Sequence, residues 1–188
     1  ASAPVSAMVE SAAAKARMER SGLAGLRARD ITSDAGCALG ALYTAFADLD
    51  ALVLEVNAQT LRQLDALMSG AVAKAQDSGA AMKALAATYL AFARAHPLLW
   101  KALFQFQPPD GKPLPGWYAD DQARLLAQIV KPLAQLQPEL DDGALIIRAR
   151  TLFAAVHGII SISLEERFVG VPIVTLDQEV ERFIDQLL

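Results

Sequence analysis

Apolar residues recur every three to four positions through most of this chain, and no segment sustains the period-two alternation of a half-buried strand. Leu52, Val56, Leu64, Leu67 and Ala71 mark one such helical face, and Leu145, Ala149, Leu152, Val156, Ile159 and Ser163 mark another. A third, close to the end, is Leu176, Val180, Phe183, Ile184 and Leu187. β-Branched residues are sparse, while alanine and leucine fill most interior positions, which favours helix throughout. The pattern predicts an all-α fold.

Glycine and proline punctuate it at Gly22, Gly25, Gly36, Gly79, Pro97, Pro138, Gly170 and Pro172, and in the run from 108 to 116. The intervals predict about nine helices, near residues 5–20, 27–34, 39–46, 48–77, 80–95, 98–106, 117–137, 142–168 and 176–187. Three short helices form a compact head over residues 1–47, and 48–188 form a larger helical body. Asp48 is placed to cap the fourth helix, and Thr175 with Gln178 has the spacing of a capping box for the last. The seam of the helix before it includes the small residues Ala149 and Ser163, which let another helix approach closely, and the last two helices serve either as core or as a face for a second copy.

Composition narrows the classes. The 188 residues are 54% hydrophobic and 20% charged, enough apolar surface for a substantial core. The 17 basic and 21 acidic side chains give a net charge of −4, which does not suggest a polybasic nucleic-acid coat. The charge is uneven, with residues 1–46 holding five basic against four acidic side chains and the remainder 12 against 17. A single cysteine, Cys37, excludes an internal disulfide and any multi-cysteine metal site. The longest apolar uncharged run, 151–164, has 14 residues, short of the roughly 20 that cross a bilayer, so no membrane partner is expected. The first residues lack the basic start and apolar run of an export signal, and the cytoplasm is the expected location.

The informative stretch is 22–52, GLAGLRARDITSDAGCALGALYTAFADLDAL, which reads as a short helix, a glycine turn, a second short helix and the start of a long one. This is the order of a helix-turn-helix. Gly36 sits where the chain must reverse, a position that calls for positive φ. Ile31 and Ala35 can then pack on Leu42 and Phe46, leaving Ala38, Leu39, Ala41, Tyr43 and Thr44 on the outer face.

At these residues the chain resembles the TetR family of bacterial transcriptional regulators. Arg29-Asp30-Ile31, Ala35-Gly36 and Gly40-Ala41-Leu42-Tyr43-Thr44-Ala45-Phe46 are similar to that family's Arg-Asp-Ile helix, Ala-Gly turn and Gly-x-Leu-Tyr-x-x-Phe recognition helix. A second resemblance covers 91–97 and Val156-His157-Gly158-Ile159, similar to members with a Trp-His-Gly type C-terminal domain, with Val156 in place of the tryptophan. The chain departs from the family pattern at Leu26 and Ala38, where capping hydroxyls are usual, at Leu39, and at Leu49, where a lysine is common. The last of these lies between Asp48 and Asp50.

The resemblance implies a ligand-responsive regulator, repression being the expected direction, that binds a palindromic double-stranded DNA operator as a homodimer and leaves it on binding a small apolar or amphipathic inducer. Residues 1–47 would be the DNA-binding domain and 48–188 the ligand-binding and dimerisation domain. The DNA-facing residues it implies are Arg27, Arg29, Ala38, Leu39, Ala41, Tyr43 and Thr44, with Arg17 and Arg20 near the edge of the head. Alternatively Arg29 pairs with Asp30 or Asp34 and Tyr43 is half-buried packing.

Tyr89, Phe92, His96, Trp100, Phe104, Trp117, Phe153 and His157 gather where the resemblance places an inducer pocket, although any one of them is equally explained as core. The dimer face it implies is Leu152, Val156, Ile159, Val180, Phe183, Ile184 and Leu187. The run from 108 to 116 reads as an exposed loop beside Trp117, a connector or a gate. Enzymatic readings lack support: there is no phosphate-cradling glycine loop, no His-Glu-x-x-His and no Gly-x-Ser-x-Gly, and no cofactor is called for. A different class remains open, a helical small-molecule binding protein that has lost specific DNA readout, motivated by Ala38, Leu39, Ala41, Asp48 and Asp50.

Overall fold

The computed structural model describes residues 5–108 and 113–187, and among these the secondary structure is helical throughout. The helices are α1 (Val5–Ser21), α2 (Ala28–Ala35), α3 (Leu39–Ala45), α4 (Leu49–Val72), α5 (Ser78–Ala95), α6 (Pro97–Gln105), α7 (Gly116–Leu136), α8 (Asp142–Leu164) and α9 (Leu176–Leu187), with a 3-10 turn at Leu23–Gly25. The all-α expectation and the helix order therefore hold. Residues 109–112 of the proline-rich run lie outside the described residues; Pro108 on one side and Pro113–Pro115 on the other are not helical, as the expected loop requires.

The chain divides into two compact units, one of residues 1–62 with 96–121 and one of 63–95 with 122–188. This division by packing cuts the chain at other places than a boundary between 47 and 48, because α6 packs on α1 and joins the first unit. The core of that unit is Ala14 and Met18 of α1, Ile31 of α2, Leu42 of α3, Leu52, Val53 and Val56 of α4, and Leu99 and Ala102 of α6, with Leu26 from the turn. In the second unit α5 packs along α9 and both touch α8.

Local chemistry explains most helix ends. Gly36 stops α2 at φ 66°, and the N–H groups of Gly36 and Cys37 bond back to the carbonyls of Ser33 and Thr32 at 3.2 and 3.0 Å. Asp48 caps α4 through the Ala51 N–H at 2.7 Å, and Asp141 caps α8 through that of Ala144 at 2.8 Å. α4 stops at Val72, short of the expected 77, because Asp77 caps α5 instead, accepting from Ala80 N–H at 2.7 Å. α2 begins after Arg27, so Leu26 is not its cap but a buried member of the head core.

Two expectations near the C-terminus need correction. α8 ends at Leu164, not near 168, because Glu166 turns to φ 52° and Ser163 captures the returning chain, its hydroxyl accepting from Val171 N–H at 3.0 Å. The return is tight: a Cβ on Gly170 would lie 2.9 Å from the Ile162 carbonyl oxygen. The Thr175–Gln178 capping box is replaced, since the Thr175 hydroxyl donates to the Pro172 carbonyl at 3.1 Å. α8 is also long and apolar enough to cross a membrane by length and composition, with a mean hydropathy of 1.6 over its window. The uncharged run 151–164 thus understated the helix, which extends through Arg148 and Arg150. Core helices pass the same test, and this one buries Leu145, Ala149, Leu152, Val156 and Ile160.

The left-handed turn is open to a direct check. Nothing lies within 4 Å of a Cβ built on Gly36, so Gly36→Ala should lower stability by about 1–2 kcal/mol through backbone strain alone. Urea unfolding of the two proteins measures this, and an unchanged midpoint would show that the turn relaxes.

Candidate functional site

Two places in the chain carry chemistry that could serve a function, one in each unit. The first is the outer surface of α2 and α3. Burying Ile31 and Leu42 in the head core turns the opposite sides of these helices outward, and Arg27, Arg29, Ala38, Leu39, Tyr43 and Thr44 are exposed there, with Ala41 half-buried. Tyr43 is 51% exposed, so about half of its surface faces solvent.

The arginines of the head divide into two classes. Arg17 holds both acids of α2, its Nη2 donating to Asp34 at 3.0 Å and its Nη1 lying 3.4 Å from Asp30. Arg20 adds a second bond to Asp34 at 3.3 Å. The hydrogen bond from Arg17 keeps the Asp34 carboxyl below its ordinary range, and the same bond raises Arg17. Arg29 therefore does not pair with Asp30 or Asp34: those carboxylates are taken. Among the described residues Arg27 and Arg29 make no side-chain hydrogen bond or ion pair, and both are exposed.

Hydrogen-bonding groups are few on the α3 surface. Ala38 occupies the position before the helix with no side-chain cap. The Thr44 hydroxyl donates to the Gly40 carbonyl at 3.0 Å, so its proton is spent within the helix. Tyr43 is the residue of this surface whose polar end is best placed to reach outward, beside the apolar Leu39. Cys37, in the turn, donates to the buried Glu10 carboxylate at 3.6 Å, and burial pushes its thiol up, away from reactive thiolate.

The second place is an apolar cleft in the other unit, where α4, α5, α7, α8 and α9 meet. Met68, Met82, Leu85, Ala86, Tyr89, Ile129, Leu152, Phe153, Val156 and Ile184 line it. Its empty space is about 370 Å³ with open solvent at the mouth included. At one wall the Tyr89 hydroxyl and His157 Nδ1 are 2.8 Å apart. The Phe153 ring stacks on His157 at 5.8 Å and meets Tyr89 edge-on at 5.5 Å. Burial holds the His157 imidazolium below its ordinary pKa, so the neutral ring is favoured.

The aromatic residues singled out in the sequence do not form one cluster. Tyr89, Phe153 and His157 come together at the cleft, and Phe92 is buried in the same unit without lining it. The others lie in the first unit. There Trp100 meets Phe104 edge-on at 5.8 Å, His96 Nδ1 is 3.5 Å from Glu19, and Trp117 is exposed against Tyr118. Burial pushes the Tyr118 hydroxyl up to about 12. The lining contributed by Met68, Met82, Leu85, Ala86 and Ile129 was missed because aliphatic residues at helical spacing look the same in a core and in a cleft wall.

The residues expected at a dimer face divide as well. Leu152, Val156, Val180 and Ile184 are buried inside the single chain, and Leu152, Val156 and Ile184 line the cleft. Ile159, Phe183 and Leu187 are half-buried. The apolar side chains that α8 leaves outward are Ile146, Ile147 and Ile162.

The lowered pKa of His157 has a sign that can be tested. A histidine held neutral in the fold and free to protonate when unfolded makes the unfolded state bind more protons below about pH 6.5. Stability from this group is complete above that pH and is lost as the pH falls through the folded pKa. Between pH 7.5 and 5.5 the wild type should lose more thermal stability than His157→Gln; parallel losses would show that His157 does not titrate with folding.

The fold recurs in solved structures. The chain is similar to a protein of unknown function from Rhodococcus sp. RHA1, with a TM-score of 0.79 and 24% identity over 98% of this chain and 94% of that one. It is similar to the fatty acid degradation regulator FadR from Bacillus halodurans, at 0.74 and 13% over 98% and 96%. A TetR family transcription regulator from Marinobacter aquaeolei VT8 aligns at 0.70 and 15% over 97% and 93%. Identities this low show a shared fold. No curated protein sequence matches the chain. The family described as "Tetracyclin repressor-like, C-terminal domain" matches residues 82–187, more than half of the length. On that match, and with the helix-turn-helix order of its first helices, the chain belongs to the TetR family of transcriptional regulators.

Proposed function

We propose that the protein is a homodimeric repressor whose paired heads bind a palindromic operator and release it when a small apolar molecule enters the cleft. The observation that carries this reading is the division of the head's arginines. Arg17 and Arg20 are spent on Asp34, whereas Arg27 and Arg29 stand exposed beside the outward surface of α3. Unpaired guanidinium groups there suit phosphate contacts, which position a head on the duplex. Sequence readout then falls to Tyr43 and Thr44, and to Ala38, Leu39 and Ala41 against thymine methyl groups. Residues 1–47 act as the DNA-binding domain and 48–188 as the ligand-binding and dimerisation domain, in the cytoplasm where the operator lies.

Two such heads on a two-fold axis enter successive major grooves about 34 Å apart. The second copy is supplied by the outward side of α8, where Ile147 and Ile162 flank Ala154 and Gly158, small residues that let helices approach closely. α4 offers a route for the response, since one continuous helix places Met68 in the cleft lining and Leu52, Val53 and Val56 in the head core. A ligand with different affinity for two positions of that helix shifts the population of heads that fit the operator. The second reading, a binding protein without specific DNA readout, is favoured by the uncapped Ala38 and by the exposed apolar Leu39.

Selection from random duplex DNA at near-physiological salt separates these readings. An enriched palindrome with half-sites about ten base pairs apart is expected, and no enrichment favours the second reading. On the selected site, Arg27→Glu with Arg29→Glu should weaken binding at least tenfold with unchanged helicity; unchanged affinity would remove those arginines from the interface. Ile147→Asp should convert the dimer to monomer in light scattering. A dimer that persists places the interface elsewhere.

A further inference from the structure

We infer that the ligand of the cleft is an uncharged, predominantly apolar molecule, and that the cleft rejects carboxylates and ammonium ions of the same shape. This rests on the reading of the cleft as the site of a small apolar ligand and adds its discrimination against charge.

The argument begins from what the walls lack. No lining residue carries a charge, and Tyr89 is the one lining residue with a polar side-chain group. Its hydroxyl is held by His157 Nδ1 at 2.8 Å, and Phe153 covers that ring. The polar end of the cleft is thus already occupied with itself. His157 does not supply a cation for an anionic ligand, because its imidazole is driven toward the neutral form by burial.

Three cations of the lining helices are committed elsewhere, and Lys131 of α7 and Arg150 of α8 are exposed and outside the lining. On α5, Lys83 sits 3.1 Å from Asp185, and Arg94 grips Asp177 with bonds of 2.9 and 2.8 Å. On α8, Arg148 donates to the Leu187 carbonyl at 3.2 Å. An ion entering the cleft would lose its hydration without gaining a partner, a cost that apolar contact does not offset. An uncharged chain loses little and gains the whole apolar surface.

The 370 Å³ of empty space includes open solvent at the mouth, so a ligand held on all sides needs the walls to repack around it. Met68 and Met82 stand at the lining from α4 and α5, and an unbranched thioether repacks more readily than a branched or aromatic side chain. The expected ligand is therefore compact, its shape accommodated by the methionines and its class set by the missing charge.

Three probes matched in length test this on the full chain: 1-octanol, octanoate and n-octylammonium at pH 7.5, followed by thermal unfolding and by calorimetric titration. Octanol is expected to raise the melting temperature in a saturable way and to bind at least tenfold more tightly than either ion. Ala86→Phe, which fills the cleft from α5, should abolish the octanol shift, and Ala86→Leu serves should the larger variant fail to fold. Octanoate or octylammonium binding as tightly as octanol overturns the ligand class and leaves the cleft as the ligand site. No shift with any probe, or an octanol shift that survives in the folded filled variant, overturns the cleft itself.

Discussion

The head depends on the burial of one stripe of α4. Leu52, Val53 and Val56 are sealed with Met18, Ile31, Leu42 and Leu99, and each such side chain withdrawn from water contributes roughly 1.5–3 kcal/mol. Since α2 and α3 are only eight and seven residues long, neither would persist without that contact. The left-handed turn at Gly36 sets the angle at which both short helices meet the stripe. The exposure of Tyr43 and Leu39 on the far side follows from it.

Electrostatics then decides which cations the head can offer. Exposed ion pairs stabilise little, and those of Asp34 with Arg17 and Arg20 are no exception. Their consequence is selection: the two carboxylates of α2 are occupied from α1, so the guanidinium groups of Arg27 and Arg29 stay available. A net charge of +1 over the first 46 residues conceals this, because it counts paired and unpaired cations alike.

The second unit obeys a different constraint. Five helices meet around a lining that is apolar except for Tyr89, whose hydroxyl lies 2.8 Å from His157 Nδ1 at the wall. Two methionines, Met68 and Met82, stand at its walls. Unbranched thioethers repack more readily than branched or aromatic side chains, so these walls are the adaptable part of the unit. Ion pairs along α5 and α9, Lys83 with Asp185 and Arg94 with Asp177, tie those two helices together outside the lining.

Helical periodicity and its interruptions determined nearly all of the element order, and local chemistry determined several ends: Gly36 by its need for positive φ, Asp48 by its cap, Ala38 by lacking one. The motif from Arg29 to Phe46 was sufficient to indicate the family, because its chemistry is contained in a few consecutive turns. Tertiary structure decided what the period leaves open. A stripe such as Leu152, Val156 and Ile160 shows which side of α8 is apolar, but not whether a neighbouring helix or a second chain covers it, and here the covering is internal. The aromatic set separated into two units for the same reason, since spacing along a helix carries no information about partners distant in sequence. The end of α8 at Leu164 was decided by Ser163 receiving a chain that returns eight residues later, a contact that no local preference announces.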